Sequence, residues 1–142
     1  MSALLSERVK TTRVSNAVAA GTTDSNSSSV DMAGFDAVRF IVLLGTLTST
    51  QVTKLLIQQS DDDSTFETIA TSNAAADADS NKMFISDVYR PEKRYVRAVV
   101  DRGTANAVID GVIAEQYEAR DMPVTNGTTV IQTQKSVTPA AA

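Results

Sequence analysis

The sequence predicts an all-β domain, a β-sandwich of jelly-roll type with extended N- and C-terminal arms. Three observations lead there. Val and Thr recur in short bursts separated by polar clusters, and the chain holds only 6 Gly and 3 Pro, with no Trp. Several bursts alternate apolar and polar residues with the two-residue period of a half-buried strand. Roughly eight such runs are spaced by turn signals, the pattern of a sandwich or jelly roll. Spacing alone leaves the strand order open. A single domain suits a chain of 142 residues, because a domain of that size buries about 68–70% of the surface its unfolded chain exposes.

Taken in order, residues 1–12 read as an N-terminal arm, 13–120 as the sandwich domain and 121–142 as a C-terminal tail. A first strand is expected over 13–19, followed by a low-complexity surface linker over 21–29 (Gly-Thr-Thr-Asp-Ser-Asn-Ser-Ser-Ser). Residues 37–44 are apolar at both alternating positions apart from Arg39, so this strand should lie mid-sheet with both faces covered and end at Gly45. Residues 52–59 form the next strand, with Leu55 and Ile57 on one face. A turn at 60–65 leads to a short strand at 66–71, and the Ala- and Asp-rich stretch 73–81 reads as a loop or a single helical turn.

Residues 83–89 resume alternation, with Met83, Ile85 and Asp87 against Phe84, Ser86 and Val88. Pro91 then punctuates the chain before a hairpin. In its first strand Val96, Ala98 and Val100 alternate with Tyr95, Arg97 and Asp101, so the former face the core, with Phe40, Val42, Ile109 and Ile113 among their neighbours. Residues 103–106 (Gly-Thr-Ala-Asn) supply turn chemistry, and 107–114 form the second strand. The tail carries too little apolar surface to order itself on the domain. Both arms are expected to order on contact with neighbouring chains.

Composition narrows the function. The chain has no Cys and no His. That removes disulfides, thiolate metal sites, the commonest general base and the Ser-His-Asp and Cys-His triads. No spacing singles out a carboxylate pair, so no enzyme, cofactor or metal is expected. Asp61, Asp62 and Asp63 between Ser60 and Ser64 could offer oxygens to Ca²⁺, but the EF-hand spacing is missed and a solvated turn is the better reading. The net charge of −4 gives no encouragement to phosphate binding, and no nucleic acid partner is expected. The apolar run at 3–5 is too short for a signal peptide, and 40–44 is far short of the ~20 residues a membrane helix requires. No membrane partner and no cleaved export signal are therefore expected.

Tyr89, Arg90, Arg94, Tyr95, Arg97 and Arg102 cluster in sequence, beside Lys93 and the acidic Asp87, Glu92 and Asp101. Tyr and Arg are the types enriched at interface hot spots. This cluster is the candidate partner interface.

The segments 87–97 (Asp-Val-Tyr-Arg-Pro-Glu-Lys-Arg-Tyr-Val-Arg), 102–113 (Arg-Gly-Thr-Ala-Asn-Ala-Val-Ile-Asp-Gly-Val-Ile) and 122–125 (Met-Pro-Val-Thr) resemble a family of small phage proteins that includes the head cement proteins of short-tailed phages. Together these segments span 27 of the 142 residues. It implies a jelly-roll-like protein on the outside of an icosahedral head, assembled in the bacterial cytoplasm. Its partners would be the major capsid protein and, as a possible dimer, copies of itself. The rivals are a carbohydrate-binding or adhesion module and a head-completion or tail component. Sugar sites present exposed aromatic platforms, and this chain has only 3 Tyr and no Trp.

Overall fold

The computed structural model describes residues 4–138. Its ten strands are β1 (Lys10–Ser15), β2 (Val18–Gly21), β3 (Ser25–Asn26), β4 (Val30–Asp31), β5 (Phe35–Leu47), β6 (Lys54–Ser60), β7 (Glu67–Thr71), β8 (Met83–Tyr89), β9 (Tyr95–Asp101) and β10 (Ala107–Ala119). They form two antiparallel sheets, β1-β10-β5-β8 with β2 also on β10, and β3-β9-β6-β7 with β4 also on β9. β2 continues β1 along β10, and β4 continues β3 along β9. Each pair is one interrupted edge strand. With each pair counted once, the first, eighth, third and sixth strands make one sheet and the second, seventh, fourth and fifth the other. That is the connectivity of a jelly roll, two nested Greek keys.

The core lies between the sheets. Val38, Phe40 and Val42 of β5, Leu55 and Ile57 of β6, Val96, Ala98 and Val100 of β9, and Ile109, Val112 and Ala114 of β10 form one buried cluster. The expected inward face of β9 is therefore observed. Ile113 is not where the alternation placed it. The register against β5 shifts between Ile109 and Gly111, and the extra residue advances the two-residue period by one step. Val112 turns inward, and Ile113 faces out beside Ile41.

Gly45 does not end a strand, since β5 runs on to Leu47. A Cβ there would meet Val108 Cγ1 at 2.8 Å and Asp110 Oδ1 at 2.9 Å. The glycine admits the close approach of β10 at its bulge. Nor are both faces of β5 fully covered, because Ile41 and Leu43 on its outer face are only half-buried.

The termini depart further from expectation. Residues 1–3 and 139–142 lie outside the described residues, but 10–12 of the expected arm belong to β1. Part of the expected tail runs alongside them. Val124 N donates to Glu7 O (2.8 Å), Thr11 N to Asn126 Oδ1 (2.8 Å) and Arg13 N to Thr129 Oγ1 (3.1 Å). Hydrogen bonding, which hydropathy does not report, holds these polar segments to a strand edge whose donors would otherwise lack protein partners. The same holds for the expected linker at 21–29. β3 lies inside it, and Ser27 is buried, its N donating to Ala98 O (2.8 Å) and its Oγ accepting from Ala98 N (3.0 Å).

Two substitutions in this core should behave oppositely. Val100→Asp buries an unpaired charge and should cost about 4 kcal/mol or more. Thr53→Val should leave stability unchanged or raise it, because the buried Thr53 Oγ1 has no hydrogen-bond partner among the described residues. Urea unfolding of both variants checks the pair.

Candidate partner interface at the hairpin end

The loop joining β8 to β9 projects from one end of the sandwich, and its conformation is fixed from below. Arg90 sits in the left-handed region at φ 53°, and its N donates to Asp36 O (2.6 Å). A non-glycine residue held there stores local strain of the kind that collects at functional sites. Gln59 of β6, 3% exposed, supports the tip. Its Oε1 accepts from Glu92 N (3.1 Å) and its Nε2 donates to Glu67 Oε1 (2.8 Å). Lys93 completes the tie at 3.3 Å from Glu67. The Gln59 hydrogen bond, then Lys93, holds the Glu67 carboxyl below its usual range, and Glu67 in turn raises Lys93.

On the other side Met32 N donates to Arg94 O (2.8 Å), and the Arg94 guanidinium makes a fork onto Asp31 at 2.9 and 2.8 Å. That hydrogen bonding is the main cause lowering the Asp31 carboxyl and raising Arg94. Arg120 pairs with Asp36 at 3.1 Å. Among the described residues Arg90 has no ion-pair partner, and its guanidinium lies 5.2 Å from the ring of Tyr89. Tyr89 itself is 59% exposed. A shallow depression of about 820 Å³ runs between Phe35, Arg90, Arg94 and Arg120.

The structure thus brings Tyr89, Arg90 and Arg94 together, with Tyr95 half-buried and Arg94 5.3 Å from its ring. It does not bring in the other two. Arg97 lies along β9, 3.8 Å over the Phe66 ring with Nε bonded to Gln58 Oε1 (3.0 Å). Arg102 is a correction to the expected interface. It is 4% exposed, and its guanidinium donates to Thr23 O (2.8 Å), Ala19 O (2.7 Å) and Ala107 O (3.0 Å). This side chain ties the β2–β3 turn to the start of β10 and cannot meet a partner in the folded domain. Gly21 makes room for it, since a Cβ there would lie 2.8 Å from Arg102 Nη2.

A second surface was not anticipated. Across the outer face of the β1-β10-β5-β8 sheet, Ile113 pairs with Ile41 and Ile41 with Ile85, and Met83 sits opposite Leu43. Met83 and Ile85 are 54% and 55% exposed. The sequence signal was the alternation over 83–88, which showed two unlike faces without showing which was inward. Beside this apolar row Arg39 bonds Glu115 at 2.8 and 2.6 Å, and Tyr117 donates to Asp87, a hydrogen bond that pushes the phenol up to about 12. A groove of about 550 Å³ opens there, bounded by Leu5, Val9, Tyr117 and Met122.

The acidic turn does local work. Asp62 Oδ1 accepts from Ser60 Oγ (2.8 Å), Ser64 N (3.0 Å) and Thr65 N (2.9 Å), which closes the turn on itself. Among the described residues no group of three or more Asp or Glu converges in a metal-ligating arrangement. Nor is any helix among them long and apolar enough to cross a membrane.

No family model matches the chain, and no curated protein does. Solved structures share its architecture. The PBSX exported protein XepA superposes with a TM-score of 0.56 at 23% identity, over 96% of this chain and 46% of that one. The chain thus spans about half the length of XepA. A subunit of the disulfide-linked pili of Bacillus endospore appendages gives 0.49 at 12% identity, over 82% of this chain and 96% of that one. The CBM22-1–GH10 modules of Clostridium thermocellum xylanase 10B give 0.43 at 12%, over 84% and 28%. The first of these shows a shared fold. In class, the protein is an all-β sandwich.

The Asp62 turn yields a pH prediction. Its hydrogen bonds, Thr65 N–H foremost, hold the carboxyl at about 2, against an unfolded Asp near ~3.9. A depressed folded value contributes stability that is present above ~4 and lost as pH falls toward 2. Asp62→Asn should therefore lower Tm at neutral pH and match the native chain near pH 2. Thermal unfolding across that range checks it.

Proposed function

We propose that the chain is a structural virion protein, a head cement or decoration protein that binds the outer surface of a phage icosahedral capsid and bridges adjacent major capsid protein subunits. The observation that carries this reading is the hairpin end. Within the segment that resembles head cement proteins, a rigidly supported loop presents an exposed Tyr89 and a cation, Arg90, with no acidic partner among the described residues. A loop backbone already held in place loses little entropy on contact, and Tyr and Arg are the side chains enriched at protein–protein anchors.

Bridging needs a second contact. The apolar row Ile85-Ile41-Ile113 on the outer face of the β1-β10-β5-β8 sheet offers one. A mechanical role needs no pocket and no reactive group, so the protein acts by adhesion and not by catalysis. Each copy contributes modestly. Many symmetric copies, each engaging more than one subunit, raise the resistance of the whole shell through effective concentration. XepA, a PBSX exported protein, shares the fold.

Heads stripped of this protein provide the test. Arg90→Glu and Tyr89→Ala should each weaken re-binding by about tenfold or more, roughly 1.4 kcal/mol, while leaving Tm of the free protein nearly unchanged. Co-sedimentation over a range of protein concentrations reads the affinity. Full binding by both variants would remove the hairpin end from the interface, and failure of the native chain to bind heads would overturn the capsid reading.

A further inference from the structure

Two sheets leave four edges, and three are blunted. The outer edge of β1 is covered by residues 124–129 through the bonds to Glu7, Thr11 and Arg13. The edge strand on β9 is broken into the two-residue pieces β3 and β4. β7 pairs with β6 through a register shift between Ile57 and Gln58. Short pieces, bulges and covering segments are the usual guards against strand addition.

Among the described residues β8 has none of these. It is seven residues long, pairs with β5 without a register shift, and contains neither Pro nor Lys. Leu44 N donates to Lys82 O (2.9 Å) and Arg90 N to Asp36 O (2.6 Å), so the even-numbered residues direct their backbone groups toward β5. Hydrogen-bond direction alternates along an antiparallel strand. The N–H and C=O groups of Met83, Ile85, Asp87 and Tyr89 therefore line the open edge, and Met83, Ile85 and Tyr89 are more than half exposed there.

The chain also carries a strand without a sheet. Residues 130–138 (Val-Ile-Gln-Thr-Gln-Lys-Ser-Val-Thr) have no regular structure. They alternate with a two-residue period, Ile131, Thr133, Lys135 and Val137 falling on one side. Ile131 and Val137 are exposed, and past Thr133 the tail makes no hydrogen bond to another described residue.

We propose that the tail segment 130–138 of one copy adds as a strand to the β8 edge of a second copy, with Lys135 beside Asp87. The match is of shape and charge. β-Branched residues meet an apolar edge, backbone groups meet unpaired backbone groups, and one cation meets one carboxylate. The tail's own β8 is out of range. From Thr129, outside β1, to a position outside β8 is about five strand spacings, or ~24 Å. Crossing it takes about seven extended residues at ~3.4 Å each, which leaves too few to pair along β8. The contact is heterologous, head to tail, so it closes into rings only where the rotation between copies permits. It does not rest on the capsid reading and is tested without heads.

The experiment is sedimentation velocity over a range of concentrations. The full chain should self-associate. A chain ending at Thr129 should lose association, and Lys135→Asp should weaken it; the first removes the bonds from Asn126 Nδ2 to Thr133 Oγ1 and from Val130 N to Gly127 O, and the second removes none. Ile85→Pro removes an outward N–H while sparing the β5 ladder, and it should abolish association with Tm nearly unchanged. Mixing the shortened chain with Ile85→Pro should then restore a 1:1 complex, because one supplies the edge and the other the tail. Should Ile85→Pro fail to fold, the full-length Lys135→Asp chain mixed with an Asp87→Lys chain replaces that arm, with association regained on mixing. A full chain that stays monomeric throughout, a shortened chain that still associates, or a mixture that does not pair would each overturn the proposal.

Discussion

Backbone groups along the edge of a sheet must bond to protein or to water, and a sandwich multiplies that demand because each sheet ends twice. Much of this structure answers it. Ser25, Asn26 and Ser27 sit in a stretch whose composition reads as linker, yet they bond along β9. Asn126 and Thr129 use side-chain oxygens to satisfy amides of β1. Arg102 gathers carbonyls of Thr23, Ala19 and Ala107 where the two sheets meet at the β2–β3 turn. Among the described residues β8 alone is left long, regular and open, and the candidate partner surfaces lie on it or directly beside it.

The parts of the fold decided by apolar periodicity were legible in the sequence. Val96, Ala98 and Val100 point inward as their alternation implies, and the strands over 35–47, 54–60, 67–71 and 83–89 fall close to their predicted places. What periodicity could not carry was position along a disturbed strand. Ile113 turned outward because one extra residue at the β10 bulge reverses every side chain beyond it. Gly45 looked like a stop and is a clearance. Residues 10–12 of β1 and the whole of β3 were hidden because their contribution is hydrogen bonding, to which hydropathy is blind.

The candidate interface was legible in part, for a related reason. Six residues close in sequence lie on two strands and in the turns that follow them, which sends them to different places. Tyr89, Arg90 and Arg94 share the hairpin end, Arg97 packs on Phe66, and Arg102 is buried. The outer row Ile85-Ile41-Ile113 depends on register across three strands, information that no single stretch of sequence contains. Gln59 was likewise silent in the sequence, although its hydrogen bonds hold the hairpin tip in place.

The central claim is that this domain works in many copies on a shell. An adhesion module or a head-completion protein with the same fold would be present in few. Quantitative mass spectrometry of purified virions, with this chain measured against the major capsid protein, separates these directly. The account predicts a fixed ratio of the same order as the capsid protein itself. A ratio corresponding to a handful of copies per particle, or absence from the particle, would contradict it.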